Sequence, residues 1–78
     1  MMEIERTEVA RHNSRKSCWI IINDTVYDVT EFLRNHPGGE RAILVYAGKD
    51  ASKEFTMLHR PGILQRYGKP MIVGKILK

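Results

Sequence analysis

The sequence predicts an α+β domain in which a small mixed sheet, drawn from both ends of the chain, carries two helical hairpins inserted between Val29 and Pro70. Three observations predict it. Cys18 to Ile22 is a short β-branched run, and Val26-Tyr27-Asp28-Val29 returns after the turn residues Asn23-Asp24 with apolar and polar residues alternating. Between Val29 and Pro70, short stretches with apolar residues at helical spacing are each stopped by glycine or proline. Met71 to Leu77 is again strand-like, so the end of the chain can close the sheet.

Taken in order, Thr7 is suited to cap a short helix through Arg11, with Asn13 as the left-handed residue that ends it. The strand Cys18–Ile22 and its partner 26–29 follow. Thr30 is placed to cap a second short helix through Asn35, which Pro37, Gly38 and Gly39 stop. Ile43, Leu44, Tyr46 and Ala47 recur at helical spacing over 40–47, and Gly48 supplies the stop. Asp50 caps the next helix, with Ala51, Phe55 and Leu58 on one face and an end near His59-Arg60-Pro61. A last short helix over 62–67 ends at Gly68.

At 78 residues the chain has room for one domain, spanning 1–78, and a core of this size supplies only a few kcal/mol of net stability. A hydrophobic fraction of 42% and a charged fraction of 28% are those of an ordinary globular protein. No apolar run approaches the roughly 20 residues that cross a bilayer, and the acidic start Met1-Met2-Glu3-Ile4-Glu5 is unlike a secretory signal. A soluble, cytoplasmic monomer without a membrane anchor is the expectation. Cys18 is the one cysteine; it fits a reducing compartment and a structural place in the core.

The net charge of +4 is unevenly spread: residues 1–54 hold 8 basic and 9 acidic side chains, residues 55–78 hold 5 basic and none acidic. Nucleic acid, an acidic protein or anionic lipid could use that positive third, as could bulk water. The basic region offers Tyr67 as its one aromatic platform and no recognised binding motif, so no nucleic-acid partner is expected.

The chemistry concentrates in two histidines. His36 opens His36-Pro37-Gly38-Gly39 between two helical stretches, and His59 closes a third, so two imidazoles can approach a flat cofactor from opposite walls. Neutral imidazole ligates haem iron in either oxidation state, and a backbone carbonyl in the glycine turn can hold the other ring nitrogen of His36. Phe32, Ile43, Leu44, Ala47, Phe55 and Leu58 would supply apolar walls. Read piece by piece, the tetrapeptide is often just a helix stop and turn, and a lone histidine near a helix end such as His59 is more often a capping or surface residue than a ligand. Structural zinc wants four ligands, which no spacing here provides. Covalent haem attachment needs Cys-x-x-Cys-His, which is absent, so any haem is held non-covalently.

Trp19, Tyr27-Asp28-Val29-Thr30, Phe32, His36-Pro37-Gly38-Gly39-Glu40, Ala47-Gly48, Asp50-Ala51, Phe55, His59 and Val73-Gly74, in this order over nearly the whole chain, resemble the cytochrome b5 family. The resemblance implies a haem b protein with His36 and His59 as axial iron ligands. It further implies a pocket lined by Val29, Phe32, Pro37, Gly38, Gly39, Ile43, Ala47, Phe55 and Leu58.

Three departures from the family pattern stand out. The stretch from Phe55 to His59 is one residue shorter than in microsomal members and is more similar to haem domains fused to lactate dehydrogenases and lipid desaturases. Arg60-Pro61 follows His59 where microsomal members carry a small hydroxyl residue near a haem propionate, a role Arg60 can take by a charge-assisted contact. Finally, Arg41, Lys49, Lys53 and Arg60 lie in segments where the family presents acids to basic partners, with only Glu40, Asp50 and Glu54 left as acids. This points to a partner face less basic than usual, or to docking that is not chiefly electrostatic.

The function implied is a carrier of single electrons between redox proteins, with a flavin reductase as donor and an oxidase, desaturase, hydroxylase or cytochrome as acceptor. It is not an enzyme on its own, since no general base, nucleophile or nucleotide-binding glycine loop is evident. The alternative is a haem-binding regulatory or ligand-binding module of the same fold; family members that bind steroids lack the two-histidine arrangement.

Overall fold

A computed structural model describes residues 2–78. A five-stranded sheet organises the chain: β1 (Glu3–Ile4), β2 (Asn13–Ser14), β3 (Ser17–Ile22), β4 (Thr25–Asp28) and β5 (Ile72–Ile76), in the order β1-β5-β4-β3-β2. The sheet is mixed, because β1 lies parallel to β5 while the other pairs are antiparallel. The predicted hairpin forms around Asn23 and Asp24, both with positive φ (50° and 66°), the conformation a two-residue hairpin turn needs and these residue types tolerate.

Side chains alternate across the sheet and give it two apolar faces. Cys18, Ile20 and Ile22 of β3 and Tyr27 of β4 join Val29, Leu33 and Ala47 in one cluster. Ile21 and Val26 point the other way and pack with Ile4, Val9 and Ile76. The second cluster is sealed by α1 (Arg6–Arg11) and by the pairing of the chain's two ends; the first faces the helical insertion.

Several expected boundaries shift. Helix α1 begins at Arg6 behind an N-cap Glu5 that makes no side-chain bond, so Thr7 lies inside the helix and does not cap it. Asn13 is not left-handed; it is a strand residue paired with Cys18, and His12 ends the helix. Thr30 does not cap a helix either. Its hydroxyl accepts the Cys18 N–H (2.8 Å) and donates to Asp28 (2.6 Å), and the chain continues as turns into a 3₁₀ turn, Leu33–Asn35. The helix expected over 40–47 is only α2, Arg41–Leu44, followed by tight turns in which Tyr46 and Ala47 N–H groups bond three residues back, up to Gly48 at φ +76°. Two-residue strands β1 and β2 carry no periodicity of their own, and only their pairing reveals them.

The loop after Gly48 is stitched onto β3. The Ile21 N–H donates to Lys49 O (3.0 Å), the Ala51 N–H to Ile21 O (2.8 Å) and the Gly48 N–H to Trp19 O (2.7 Å). This fixes the start of α3 (Ser52–Leu58), where Asp50, one residue ahead of the cap, accepts both the N–H and the hydroxyl of Ser52. A π-helical turn, Leu64–Gly68, and a 3₁₀ turn, Lys69–Met71, lead back into β5. Among the described residues no helix is long and apolar enough to cross a membrane.

Candidate functional site

Between the first sheet face and the helical insertion lies a cavity of about 700 Å³, within the usual range for a ligand site. Ile20, Ile22 and Tyr27 form its sheet wall, α2 contributes Ala42 and Ile43, α3 contributes Phe55 and Leu58, and the π turn contributes Leu64, Tyr67 and Gly68. His36 and His59 both line it, from different walls.

The two histidines are brought together by separate local devices. His36 follows the 3₁₀ turn in extended conformation, as a residue before proline prefers, and the Gly39 N–H closes the turn on the His36 carbonyl (2.9 Å). Gly39, at φ +89°, returns its own carbonyl to His36 Nδ1 at 2.9 Å. Gly38 leaves room for the ring: a Cβ there would stand 3.1 Å from His36 Cε1. His59 ends α3, with Nδ1 3.3 Å from the Phe55 carbonyl and its ring stacked on Phe55 (centroids 4.2 Å, 7° between planes). Phe32 meets His36 edge-on at 5.9 Å.

In each histidine Nδ1–H donates to a carbonyl, which leaves Nε2 with its lone pair. The ring centroids lie 6.1 Å apart with planes tilted by 41°. Two metal–imidazole bonds of roughly 2 Å, plus about 1 Å from each nitrogen to its ring centre, span about 6 Å, so the separation fits one metal held between the rings. No group of three or more His, Cys, Asp or Glu side chains among the described residues could hold a bare ion. The arrangement therefore suits a metal whose remaining ligands arrive with a flat apolar carrier.

Residues 5–77 match the family described as "Cytochrome b5-like Heme/Steroid binding domain". The chain belongs to the cytochrome b5 family. It is 52% identical over 73 residues to cytochrome b5 of Drosophila melanogaster, covering 94% of this chain and 54% of that one. It is 47% identical over 68 residues to the L-lactate dehydrogenase (cytochrome) of Saccharomyces cerevisiae, covering 87% of this chain but only 12% of that enzyme. Cytochrome b5 of Ostreococcus tauri virus 2 superposes with a TM-score of 0.92 at 48% identity, over 97% of this chain and 98% of that structure. The fold is thus the α+β cytochrome b5 fold, and the cofactor is haem b with its iron, held non-covalently.

Of the residues singled out from sequence, Val29, Phe32, Pro37, Gly38, Ile43, Phe55 and Leu58 line the cavity with the two histidines. Gly39, Ala47 and Arg60 do not. Gly39 acts through its carbonyl, Ala47 is buried in the core behind the cavity, and Arg60 is exposed beside His59. Ile20, Ile22, Tyr27, Leu64, Tyr67 and Met71 line it without having been foreseen. The spacing of two between Ile20 and Ile22 would have placed them together on one sheet face; the π turn carries no comparable signal. Cys18 is buried in the same cluster, where desolvation pushes its thiol up to about 11, in keeping with a structural role.

Proposed function

We propose that this domain is a one-electron carrier whose haem iron is ligated by His36 Nε2 and His59 Nε2. The observation that supports it best is the pair of imidazoles whose centres lie 6.1 Å apart, each with Nδ1 committed to a backbone carbonyl. Haem b supplies a one-electron iron couple when bound. The chain's own part is to hold both rings still, so that the ligand set stays the same in both oxidation states, and to keep water off with the walls at Val29, Phe32, Ile43, Phe55 and Leu58. With His36 and His59 both holding the iron, no open position would remain for oxygen or peroxide, which would favour electron transfer. Arg60, next to His59 and exposed, would hold a haem propionate. The donor would be a flavin reductase and the acceptor an oxidase, desaturase or other cytochrome. The domain alone then catalyses no reaction, although relatives such as the lactate dehydrogenase carry such a unit within an enzyme.

The test is the visible spectrum of the protein with added haem, oxidised and after dithionite, for the natural chain and for His36→Ala and His59→Ala. A six-coordinate low-spin spectrum, reversible on reduction and lost in either variant, is the expected result. A high-spin spectrum in the unmutated protein would refute ligation by both histidines and with it the carrier role.

A further inference from the structure

The face around the cavity mouth has a charge that the protein does not balance internally. The cavity-lining residues that are themselves exposed mark its opening: Asn35, Pro37, Gly38, Ala42, Leu58 and Tyr67, with Leu58 78% and Tyr67 53% exposed. Within two residues of these positions stand five cations, Arg34, Arg41, Arg60, Arg66 and Lys69. All five are exposed, and none has an ion-pair partner among the described residues. One acid stands within the same reach, Glu40, and it is engaged by Arg15 at 3.0 Å. Asp28 and Glu31 share a groove with Asn35 and Tyr67 on one side of the opening, and a bound haem adds two propionates, so the five cations exceed these four negative charges by one. Met57, next to Leu58 at the end of α3, is 74% exposed.

Exposed Leu58 and Tyr67 at the opening, with four arginines and a lysine close to the opening's residues in the chain, have the composition of a protein contact that joins apolar and charged groups. Building on the carrier reading above, we infer that this face docks an acidic protein surface, opposite in charge to the basic partners that a resemblance to microsomal cytochromes b5 implies. Exposed cations without ion-pair partners, next in the chain to the residues that mark the opening, steer an acidic partner toward the place where the cavity reaches the surface. A redox partner must dissociate after each transfer. A small contact held by rim charges, exposed to salt and worth little once formed, meets that need.

The experiment uses the haem-loaded protein and two redox proteins as probes. Reversible reduction by dithionite is checked first; its failure would sink the carrier reading and this inference together. Electron transfer is then followed from a reduced, acidic plant-type [2Fe–2S] ferredoxin to the oxidised domain, and from the reduced domain to basic cytochrome c, between about 10 and 200 mM salt. The ferredoxin rate should fall by roughly tenfold or more over that range, while the cytochrome c rate stays flat or rises. Arg41→Glu, Arg66→Glu and Lys69→Glu together should remove the salt dependence with ferredoxin and leave the haem spectrum unchanged. A ferredoxin rate indifferent to salt, or a steep fall with cytochrome c, would overturn the inference while the carrier reading stands. So would strong sedimentation with phosphatidylserine vesicles alongside a salt-independent ferredoxin rate, which would assign the surface to lipid.

Discussion

Gly74 offers a sharp test of how the two ends of the chain are held. It sits in β5 beside β1, and a Cβ there would lie well under 3.0 Å from the Met2 carbonyl oxygen and 3.0 Å from Ile4 Cδ1. Backbone cannot yield as a side-chain tip can, so Gly74→Ala must push β1 off the sheet. That displaces the Lys75 N–H to Met2 O and Leu77 N–H to Ile4 O bonds, both 2.8 Å, together worth about 2 kcal/mol. Ile4, 4% exposed, returns to water at a cost of about 2 kcal/mol. Alanine's narrower unfolded ensemble gives back roughly 0.5–1 kcal/mol. The net loss is about 3 kcal/mol, a large share of the stability of so small a domain, and a drop of about 3 M in urea midpoint at a slope near 1 kcal/mol/M. Ile4 lies in the cluster behind the sheet and not in the cavity, so the haem spectrum of the folded variant should be unaltered. A stability change under about 1 kcal/mol would show that β1 contributes little and would refute the reasoning.

Other perturbations have equally definite outcomes. Burial pushes Asp50 up, but the Ser52 hydroxyl and N–H and the Arg6 guanidinium outweigh it and hold the carboxyl below its usual range. A depressed carboxylate stabilises the fold above its unfolded value near pH 4 and loses that contribution as pH falls through its folded value, so Asp50→Asn should flatten the acid limb of the stability–pH curve, by less than about 1 kcal/mol at this exposed site. An unchanged acid limb in urea titrations would count against it. Arg60→Ala should lower the reduction potential, since a nearby cation favours the reduced haem; a unit charge about 10 Å away in water is worth about 0.4 kcal/mol, roughly 20 mV for one electron. Potentiometry that finds the value unchanged or raised would refute the propionate assignment. Cys18, buried and with its thiol pushed up to about 11, should resist a thiol reagent at pH 8 in the folded protein and react at once in urea; rapid labelling of the native domain would contradict its placement.

The hairpin was legible because its cues are local: β-branched runs on either side of Asn23-Asp24, a pair that accepts positive φ. The histidine turn was legible for a similar reason. Proline and glycine restrict or free the backbone at fixed positions, and the carbonyl expected to hold His36 is that of Gly39. Threonine caps were misread because a hydroxyl can serve a distant strand as readily as its own helix, as Thr30 does for Cys18. Ala47 has the helical spacing of a wall residue, but the chain leaves α2 after Leu44 in tight turns, and these send Ala47 into the core. Charge neutralisation was also hidden: the link between Arg15 and Glu40 joins residues far apart in sequence and becomes visible only when the β2–β3 hairpin lies against the histidine turn.

The parallel pairing of β1 with β5 brings the first and last strands to one edge of the sheet, and the cluster they seal is the one turned away from the cavity. Because parallel neighbours point the same way, a polypeptide joined ahead of β1 and one joined after β5 would run off opposite ends of that edge, each from a strand packed on the cluster turned away from the cavity. A unit built this way is portable: it can be tethered by head or tail to unrelated machinery without re-engineering its working face. The family's appearance both as small cytochromes and as a minor fraction of lactate dehydrogenases and nitrate reductases is what such an attachment geometry permits.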